Sequence, residues 1–492
     1  MHPSIHAAAH PSKAAIVMAN CGTTIDYAEM DARSNQSAHL LRRLGLRRGD
    51  VIATLFGNGP EVFIIGWAAQ RSGLFATAIS NKLSPADIAY ILQDSGAKLL
   101  IVGQEFASLA KAAFENLGSM AAWCWGKDAA LPDWRVATAE LPRTPIADQS
   151  AGSDLLYSSG TTGRPKGVKP ILPDEAIDGP TPLMGMGAGL YAMGEDTVYL
   201  STSPLYHAAP LRWAMTVQRL GGTVIVVDRF DPQKVLRLIE RYRVTHATFV
   251  PTHFVRMLKQ PEAVRTAYKL DSLKAAIHAA APCPVSVKRA MIDWLGPIIH
   301  EYYSGTESCG ITAIDTQEWL MRPGSVGRAI LGKVHIVDDD GNALPAGAIG
   351  EVFFSDGPEF EYLNDPEKTA SAHNALGWAT LGDIGYLDAD GFLYLTDRKG
   401  FMIISGGVNI YPQEIENVLI GHPAVFDVGV VGLPDEEMGE RVVAVVQPAS
   451  TVADPAALAK ELREYAKEAL GPVKTPKEFR FANALPREPT GK

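Results

Sequence analysis

The chain has 492 residues, and its 47% hydrophobic, 20% charged and 8% aromatic content is typical of a folded globular protein. This length exceeds what one hydrophobic core supports, so we expect at least two domains. A formal net charge of −10 and a pI near 5.7 argue against a protein that coats nucleic acid or anionic membrane. A phosphate ligand must therefore be held by a local site.

The cysteines and the apolar segments favour a cytoplasmic location. Cys21, Cys124, Cys283 and Cys309 are scattered without a CxxC pair, which fits a reducing compartment and no structural zinc. The stretch MHPSIHAAAHPSKAAIVMAN has prolines and histidines where a secretory signal needs an unbroken apolar core. Charges, Gly or Pro interrupt each apolar run before it reaches the length of a membrane span. We expect no integral membrane segment and no nucleic-acid partner, and the sequence does not indicate the oligomeric state.

Helical and strand patterns alternate through the first part of the chain. Residues 26–44 place apolar groups at helical spacing, and RRGDVIATLFGNGPE predicts a turn, a strand and a loop. EVFIIGWAAQRSGLFATAIS and ADIAYILQDSGAKLLIVG each predict a further helix and strand. This alternation predicts α/β layers with mostly parallel strands.

The later part of the chain changes in character. A polar, proline-bearing insertion at 169–190 has no assigned structure, and further helices and strands follow it as far as PIIHEYYSGTESCG. From about Gly350, short strands and Asp-Gly turns indicate a smaller β-rich region. From about Lys399, the pattern indicates a compact α+β unit of about 90 residues. The predicted fold is α/β, with a large N-terminal domain of several subdomains and a small α+β C-terminal domain.

The stretch DLLYSSGTTGRPKGV at 154–168 has the composition of a phosphate-binding loop. Its glycines let backbone N–H groups converge on oxyanions, while hydroxyls and cations add donors and positive charge. A Walker A loop requires Ser or Thr after its lysine and then a helix, whereas Gly167 follows the lysine here and Pro170 lies just beyond. An ordinary mobile loop needs fewer glycines and no paired cations. The candidate loop residues are Ser158, Ser159, Gly160, Thr161, Thr162, Gly163 and Lys166, with Arg164 as a second cation.

SSGTTGRPKG resembles the phosphate loop of the adenylate-forming superfamily, which includes acyl-CoA synthetases, firefly luciferase and the adenylation domains of peptide synthetases. Further motifs of that family occur in the family's order over nearly the whole chain. The resemblance implies an N-terminal adenylation domain at 1–397 that binds ATP and a carboxylic acid. It also implies a hinge at 398–400 around Gly400, a mobile C-terminal lid at 401–492, Mg²⁺ as cofactor and coenzyme A as co-substrate.

The segment EYYSGTE matches the family's aromatic-G-x-T-E signature. The resemblance implies that Tyr303 stacks on adenine, that Thr306 lies near the α-phosphate and the substrate carboxylate, and that Glu307 binds Mg²⁺. A carboxylate suits this hard cation, which prefers oxygen ligands. Just upstream, AAAPCP stands where relatives carry GGAPL, which implies that Ala280 and Ala281 lie along the adenine edge.

Two C-terminal segments complete the nucleotide and coenzyme-A motifs. WATLGDIGYLDADGFLYLTDRKG resembles the ribose-binding segment, so Asp383 would accept both ribose hydroxyls and Arg398 would contact ribose or phosphate. Leu381 stands where the family usually has Thr. MIISGGVNIYPQEIE resembles the C-terminal signature in which Gly406 and Gly407 line the pantetheine tunnel of coenzyme-A ligases.

PLYHAAP matches the family motif whose His borders the acid-binding pocket, which makes His207 the candidate. Amino-acid-activating relatives place an Asp here to pair with the substrate ammonium. A buried ammonium without a counter-charge is costly, so amino acids are disfavoured as substrates. By fold analogy, small and apolar residues suggest a cavity for a fatty or aryl acid. These pocket candidates are Ala208, Ala209, Leu211, Trp213, Ala280, Ser304 and Gly305.

LPREPTGK ends at Lys492, which falls on the family's PRxxxGK lysine, a group that would neutralise charge as the carboxylate attacks the α-phosphate. Members normally continue past that lysine, so the C-terminal boundary is left open. The resemblance predicts an ATP-dependent carboxylic acid–CoA ligase that forms an acyl-adenylate and releases pyrophosphate and AMP. The alternatives are a stand-alone enzyme that loads a carrier protein and a luciferase-like oxidase. A non-catalytic nucleotide-binding module is disfavoured because Glu307 and Lys492 are both present.

Overall fold

The computed structural model describes residues 1–117, 120–158, 164–174, 176–405, 408–435 and 438–487. The chain folds into two compact units. The first unit comprises Met1–Phe249, Glu262–Ala276 and Glu359–Thr369, and the second comprises Val250–Pro261, Ile277–Pro358 and Ala370–Lys492.

Polar caps begin many of the helices, as the local sequence favours. The side chains of Asp26, Ser84, Thr181, Asp231 and Asp454 each accept a hydrogen bond from a backbone N–H of the first turn. In chain order, the α-helices are Pro3–Ala9, Tyr27–Arg43, Pro60–Arg71, Pro85–Asp94, Ala107–Phe114, Trp134–Ala139, Pro182–Tyr191, Ala208–Arg219, Pro232–Tyr242, Pro251–Leu258, Glu262–Arg265, Val285–Leu295, Thr316–Met321, Pro366–Ser371, Pro412–Leu419 and Pro455–Lys474.

The first unit contains two largely parallel sheets and a small antiparallel one. One sheet has the order His246–Phe249, Val198–Ser201, Thr223–Val226, Ala14–Met18 and Thr24–Asp26, with only the last strand antiparallel. The other is entirely parallel, in the order Ala122–Trp125, Leu99–Gly103, Val51–Leu55, Phe75–Ala78 and Ser153–Asp154. The antiparallel sheet has the order Glu361–Tyr362, Lys166–Lys169 and Leu156–Ser158.

The second unit is mainly antiparallel. Its larger sheet has the order Lys333–Val337, Gly350–Ser355, Ala379–Leu387, Leu393–Arg398, Ser325–Leu331, Ile311–Ile314, Ile299–Tyr303 and Ala275–His278; Ala275 and Ala276 of the last strand are assigned to the first unit. Its C-terminal sheet has the order Val408–Ile410, Ile403–Ser405, Gly439–Pro448 and Val425–Asp435, and Glu478–Phe481 also pairs with Gly439–Pro448.

Helical periodicity accounts for the packing of the layers. Ile88, Ile91 and Leu92 lie on one face of the helix Pro85–Asp94 and are buried in the same cluster as Leu100 of the parallel strand Leu99–Gly103. In the C-terminal region, one helix buries Ile415 and Leu419, and the last helix buries Leu462 and Ala466, against the sheet. The predicted fold class, a large α/β part followed by a small α+β part, is confirmed.

The insertion to which the sequence assigned no structure contains the helix Pro182–Tyr191. Three glycines in MGMGAGLY lower the helical propensity of this segment, so the sequence pattern does not predict the helix. Thr181 caps this helix, Pro182 occupies its first turn, and Met184 and Met186 are buried. Across the described residues, we find no helix that combines the length and apolarity needed to traverse a bilayer.

Candidate active site

The phosphate-loop segment joins two paired antiparallel strands. Leu156–Ser158 pairs with Lys166–Lys169, and Ser158 lies opposite Lys166. Ser158 and Lys166 therefore face each other at the ends of the strands that lead into and out of the candidate loop. The loop candidates between them, Ser159, Gly160, Thr161, Thr162 and Gly163, lie outside the described residues.

Aromatic rings lie close to the two cations of this segment. The Lys166 Nζ atom lies 5.9 Å from the centroid of the Tyr362 ring, and the Arg164 guanidinium carbon lies 5.1 Å from the centroid of the Tyr90 ring. At these distances a cation is attracted to the electron-rich face of a ring. Glu361–Tyr362 also pairs with Lys166–Lys169, so Tyr362 belongs to the same small sheet.

Tyr157 supports the strand that enters the loop. Its hydroxyl donates a hydrogen bond to Asp94 Oδ2 at 2.6 Å. Burial and the neighbouring Asp94 carboxylate raise the pKa of Tyr157, so the phenol remains a donor. A Cβ atom on Gly167 would lie 2.9 Å from the Tyr157 ring, which explains a glycine in the facing strand. The sequence does not predict a role for Tyr157 or Asp94.

The acid-binding motif forms the start of a helix. His207 is the N-cap of Ala208–Arg219, with φ −92° and ψ 149°, and its carbonyl oxygen accepts a hydrogen bond from the backbone N–H of Leu211. The ring centroids of Tyr206 and His207 lie 4.6 Å apart. Ala208 and Ala209 are half-buried in the first turn.

Leu211 and Trp213 lie on the buried part of this helix. Their relative exposures are 7% and 1%. The Trp213 ring centroid lies 5.7 Å from that of Tyr191, at the end of the helix Pro182–Tyr191. These contacts place both side chains in the interior of the first unit, and their role in binding an acyl chain stays a prediction.

Asn58 is a further residue that holds the acid-binding motif, and the sequence analysis missed it. Its Nδ2 donates to the carbonyl oxygens of Val227 and Ser203 at 2.8 and 3.2 Å, and its Oδ1 accepts from the Leu205 N–H at 2.8 Å. Asn58 thereby fixes the backbone just ahead of His207. The available signal was an Asn between two glycines directly after a predicted strand, as in GNGPE.

Arg212 and Asp154 form a second contact that the sequence analysis did not predict. Arg212 Nε donates to Asp154 Oδ2 at 2.6 Å, and Arg212 Nη2 donates to Asp154 Oδ1 at 3.1 Å. The planar guanidinium thus engages both carboxylate oxygens, a strong and directional arrangement. The contact joins the helix that follows His207 to Ser153–Asp154, the strand just before the one that leads into the phosphate loop.

Three residues of the predicted nucleotide site are directly connected in the second unit. The Tyr303 hydroxyl donates to Asp383 Oδ2 at 2.6 Å, and Arg398 Nε lies 3.2 Å from Asp383 Oδ1. Asp383 and Arg398 face each other on paired strands, which sets their separation. Burial and the Asp383 carboxylate raise the pKa of Tyr303 far above its ordinary value. Their motifs predict each of the three residues, but not the hydrogen bond from Tyr303 to Asp383.

Ala280 has an unusual backbone conformation for an alanine. Its φ is +75°, in the left-handed region that favours glycine. This agrees with the sequence comparison that aligns Ala280 with the GG of GGAPL. Ala280 is exposed and Ala281 is half-buried, and both follow the strand Ala275–His278.

Gly305 lies where Leu381 and Glu307 approach each other. A Cβ atom on Gly305 would lie 2.6 Å from Leu381 Cδ2 and 2.5 Å from Glu307 Oε2, so a larger residue would displace both side chains. Ser304 Oγ donates to the Gly310 carbonyl oxygen at 2.8 Å, which turns this hydroxyl towards the backbone. Thr306 and Glu307 are half-buried.

The donors near Glu307 fit a hard divalent cation bound with a nucleotide. Glu307 supplies a carboxylate and Thr306 a hydroxyl, both oxygen donors. The structure describes no group of three or more His, Cys, Asp or Glu side chains able to hold a metal in the residues it covers. Mg²⁺ in ATP-dependent enzymes usually takes one or two protein carboxylates and completes its shell with phosphate oxygens and water. A single carboxylate therefore suits Mg²⁺ carried by ATP.

The predicted hinge lies in the short 3-10 turn Lys399–Phe401. Lys399 Nζ lies 2.9 Å from Glu351 Oε2, which ties the start of this turn to a neighbouring strand. Within the described part of the chain, a Cβ atom on Gly400 would meet no heavy atom within 4 Å, and φ at Gly400 is not positive. This conformation alone does not require glycine there. Gly406, Gly407 and Lys492 lie outside the described residues.

A buried charged cluster supports the nucleotide segments and was not predicted. Lys288 Nζ lies 2.6 Å from Glu301 Oε2, and both side chains are almost fully buried. His278 Nε2 lies 3.5 Å from the same oxygen, and burial lowers the pKa of His278 well below its ordinary value. Glu301 precedes Tyr303 by two residues and His278 precedes Ala280 by two. The cluster therefore joins the two strands that carry the adenine-edge candidates.

Comparison with known proteins gives the family. Residues 4–359 match the family model described as AMP-binding enzyme, and residues 414–492 match the AMP-binding enzyme C-terminal domain. The long-chain-fatty-acid–CoA ligase FadD13 of Mycobacterium tuberculosis is 35% identical, over 98% of this chain and 94% of that protein. The 2-succinylbenzoate–CoA ligase of Bacillus licheniformis is 31% identical, over 98% of this chain and 95% of that protein.

Comparison with a solved structure supports the same family. The o-succinylbenzoate CoA synthetase of Bacillus subtilis, solved in complex with the acyl-adenylate intermediate OSB-AMP, superposes with a TM-score of 0.83 at 27% identity. The match covers 100% of this chain and 96% of that one. With both family models matched and the fold shared over the full length, the chain belongs to the AMP-binding enzyme family, within the adenylate-forming superfamily.

Proposed function

We propose that this chain is an AMP-forming acid–thiol ligase that converts a fatty or aryl carboxylic acid, ATP and coenzyme A into an acyl-CoA, AMP and pyrophosphate. The observation that carries the proposal is the connected set of Tyr303, Asp383 and Arg398 within a chain that matches both family models. Relatives over nearly the full length are named as CoA ligases for a long-chain fatty acid and for 2-succinylbenzoate, an aryl acid.

The first half-reaction joins the acid to the nucleotide. A carboxylate oxygen attacks the α-phosphorus of ATP, the new O–P bond forms, and the bond to pyrophosphate breaks. Both reactants are anionic, so the site must offset their repulsion. Lys166 and Lys492 would supply positive charge, and Thr306 would donate a hydrogen bond to phosphate or carboxylate oxygen. Mg²⁺ held by Glu307 would neutralise charge on the phosphate oxygens.

Asp383 would hold the nucleotide by its ribose. An ionised carboxylate accepts several hydrogen bonds, so Asp383 can accept from the ribose hydroxyls while it accepts from Tyr303. Arg398 lies on the other carboxylate oxygen and keeps the group oriented. The Tyr303 ring would pack on adenine beside Ala280 and Ala281.

The second half-reaction transfers the acyl group to the thiol of coenzyme A. The C–S bond forms, the bond between the acyl carbon and the AMP oxygen breaks, and AMP leaves. Gly400 would be the hinge for a lid exchange between the half-reactions, since glycine accepts large φ/ψ changes. Gly406 and Gly407 would then line the channel for the pantetheine arm. The boundaries 1–397, 398–400 and 401–492 remain part of this proposal.

The substrate class follows from the residues around the acid motif. His207 would border the carboxylate, and Ala208 and Ala209 leave room for an apolar chain next to Leu211. Arg212, the cation about one turn after His207, is paired with Asp154, which disfavours a role for Arg212 as counter-ion for a second substrate carboxylate. We therefore expect a monocarboxylic fatty or aryl acid.

A substrate panel with product identification tests this proposal. The enzyme is incubated with ATP, Mg²⁺ and saturated fatty, aryl-alkanoic, cinnamic-type or dicarboxylic acids, with and without coenzyme A, and AMP and thioester are quantified. We expect AMP and an acyl-CoA in equal amounts with a monocarboxylic acid. The matched control is Asp383→Asn, which keeps the shape but weakens the acceptor and should raise the KM for ATP.

Other outcomes would contradict the proposal in distinct ways. Pyrophosphate exchange that coenzyme A does not stimulate would favour transfer to a carrier protein. Oxygen consumption linked to acyl-adenylate would favour a luciferase-like oxidase. Formation of ADP in place of AMP would contradict the adenylate route itself.

A further inference from the structure

The pairing of Arg212 with Asp154 links two motifs that are distant in the sequence. The guanidinium donates two hydrogen bonds to the two carboxylate oxygens, at 2.6 and 3.1 Å. The side chains are 21% and 18% exposed, so the pair is largely shielded from water. A shielded, bidentate, charge-assisted contact holds both distance and orientation more firmly than an exposed ion pair.

Asp154 is fixed by the parallel sheet. The strand Ser153–Asp154 pairs with Phe75–Ala78, with Asp154 opposite Ala76. The next backbone N–H, that of Leu155, donates to the Ala76 carbonyl oxygen at 3.0 Å. The chain then enters the strand that ends at Ser158, where the phosphate loop begins. Because extended backbone connects Asp154 to Ser158, the position of Asp154 determines where the loop begins.

Arg212 is fixed by the helix that follows the acid motif. The helix begins at Ala208, directly after His207, and Arg212 lies about one turn later. Leu211 and Trp213, its neighbours on the helix, are buried. The helix is held from the other side of His207 by Asn58, which bonds the backbone of Ser203 and Leu205. His207 therefore lies between two segments that are held in place, by Asn58 on one side and by Arg212 on the other.

We propose that Arg212 and Asp154 are a positioning pair that sets the acid-binding helix relative to the phosphate loop for the adenylation step. This inference rests on the proposed function, because it assigns the acid to the His207 segment and the phosphates to the loop. Neither side chain touches the reacting atoms in this scheme. Their effect comes from holding the two segments that do.

The pair should matter unequally for the two half-reactions. Adenylation brings two separate anions together, and a misplacement of about 1 Å can cost about 100-fold in rate. Once the O–P bond has formed, the acyl and nucleotide parts are covalently joined, and their spacing no longer depends on the protein. Thioester formation from a supplied acyl-adenylate should therefore depend much less on the pair.

The test compares both half-reactions in Asp154→Asn, Arg212→Gln, Arg212→Lys and the double variant Asp154→Asn/Arg212→Gln. Single-turnover pyrophosphate release measures adenylation, and acyl-CoA formation from supplied acyl-adenylate measures the second step. We expect the single neutralising variants to slow adenylation at least about tenfold and the second step less than about twofold. The double variant should be no slower than either single variant, and Arg212→Lys should recover part of the rate because it keeps the charge.

Asp148→Asn is the matched control. The single N–H of Arg42 Nε is shared between the two carboxylate oxygens of Asp148 in the same unit, at 3.0 and 3.2 Å. Asp148→Asn should leave both half-reactions unchanged. Thermal unfolding of every variant separates loss of folded enzyme from loss of positioning.

Two results would overturn the positioning role. One is an equal decrease in both half-reactions, in proportion to lost stability, which would make the pair structural only. The other is unchanged adenylation in Asp154→Asn and Arg212→Gln. A wild-type enzyme that forms no AMP with any acid would instead contradict the proposed function, so the two failures are distinguishable.

Discussion

The Tyr303 hydroxyl donates a 2.6 Å hydrogen bond to Asp383, so the residue predicted to stack on adenine also orients the residue predicted to bind ribose. Asp383 is only 7% exposed, and Arg398 approaches its other oxygen. One buried carboxylate therefore receives a phenol, a guanidinium and, in the proposed complex, the ribose hydroxyls. Tyr303 therefore contributes a hydrogen-bond donor to Asp383 in addition to the ring that is predicted to stack on adenine.

Removing that hydroxyl should weaken nucleotide binding while it leaves the ring in place. Hydrogen bonds to charged groups contribute about 1.5–3 kcal/mol, so Tyr303→Phe should raise the KM for ATP about tenfold or more. The KM for the carboxylic acid should change little. Steady-state kinetics with each substrate varied in turn measures this. The control is Tyr394→Phe, which removes the hydroxyl of a half-buried ring stacked on Tyr386 in the same unit. An unchanged KM for ATP in Tyr303→Phe would contradict the assignment.

The left-handed conformation of Ala280 predicts a stabilising substitution. An alanine at φ +75° pays a steric cost of about 1–2 kcal/mol that glycine avoids, partly offset by the greater freedom of glycine in the unfolded chain. Ala280→Gly should therefore raise the free energy of unfolding by up to about 1 kcal/mol. Ala279→Gly is the matched control, because Ala279 is buried and its φ is not positive, and it should destabilise. Thermal unfolding of both variants gives the sign. A thermal unfolding midpoint lower for Ala280→Gly than for wild type would contradict the claim that the backbone is strained at Ala280.

The buried pair of Lys288 and Glu301 predicts a large cost for removing one partner alone. Lys288→Met would leave the Glu301 carboxylate buried without its 2.6 Å partner and should destabilise the protein by about 3–5 kcal/mol. The double variant Lys288→Met/Glu301→Gln removes both charges and should recover most of that loss. Denaturant unfolding measures the three proteins. The exposed pair Lys333–Asp356 provides the control, since Lys333→Met should cost less than about 1 kcal/mol. A double variant no more stable than Lys288→Met would show that the pair is not coupled.

Glu416 predicts an unusual pH dependence for the C-terminal region. Burial, together with Asp397 and Asp427, raises the pKa of Glu416 from 4.5 to about 7. The folded state then binds more protons than the unfolded state between these values. Stability should fall as pH rises from about 4.5 to about 7 and stay lower above that range.

Glu416→Gln isolates this contribution. The amide oxygen can still accept the hydrogen bond that the Val430 N–H donates to Glu416 at 2.8 Å, but the charge is absent. The variant should be more stable than wild type at pH 8, by about 1 kcal/mol or more, and equal to it near pH 4.5. Thermal unfolding across pH measures the difference. Glu464→Gln, at an exposed position on the last helix, should show no such trend. A stability difference between variant and wild type that is the same at all pH values would show that titration of Glu416 does not cause it.

The sequence predicted most of the fold because helical and strand periodicities were clear. The helix expected at 26–44 is Tyr27–Arg43, and the strands of the first unit are mostly parallel as expected. The helix Pro182–Tyr191 had no assigned structure because its glycines weaken local propensity, whereas its burial against Trp213 depends on residues far along the chain. Local pattern carries no information about such tertiary contacts.

The residues of the candidate site also fall into two groups, those that a local motif predicts and those that depend on tertiary contacts. Tyr303, Asp383 and Arg398 were identified by motif, and the motif could not show that they bond to one another. Asn58 and Arg212 were missed because their partners lie about 58 to 169 positions away in the sequence, where no local rule applies. The roles assigned to Ser159–Gly163, Gly406, Gly407 and Lys492 stay predictions, since these residues lie outside the described part of the chain.

The central claim is that the acid is activated as an acyl-adenylate before it reaches coenzyme A, and oxygen transfer tests it most directly. A substrate acid with both carboxylate oxygens labelled with the heavy isotope is converted to its acyl-CoA with unlabelled ATP and water, and AMP is analysed by mass spectrometry. One carboxylate oxygen forms the O–P bond and stays on phosphorus when the thiol attacks the acyl carbon. We predict one labelled oxygen in AMP, one in the thioester carbonyl and none in pyrophosphate. Unlabelled AMP, or label in released inorganic phosphate, would contradict the account.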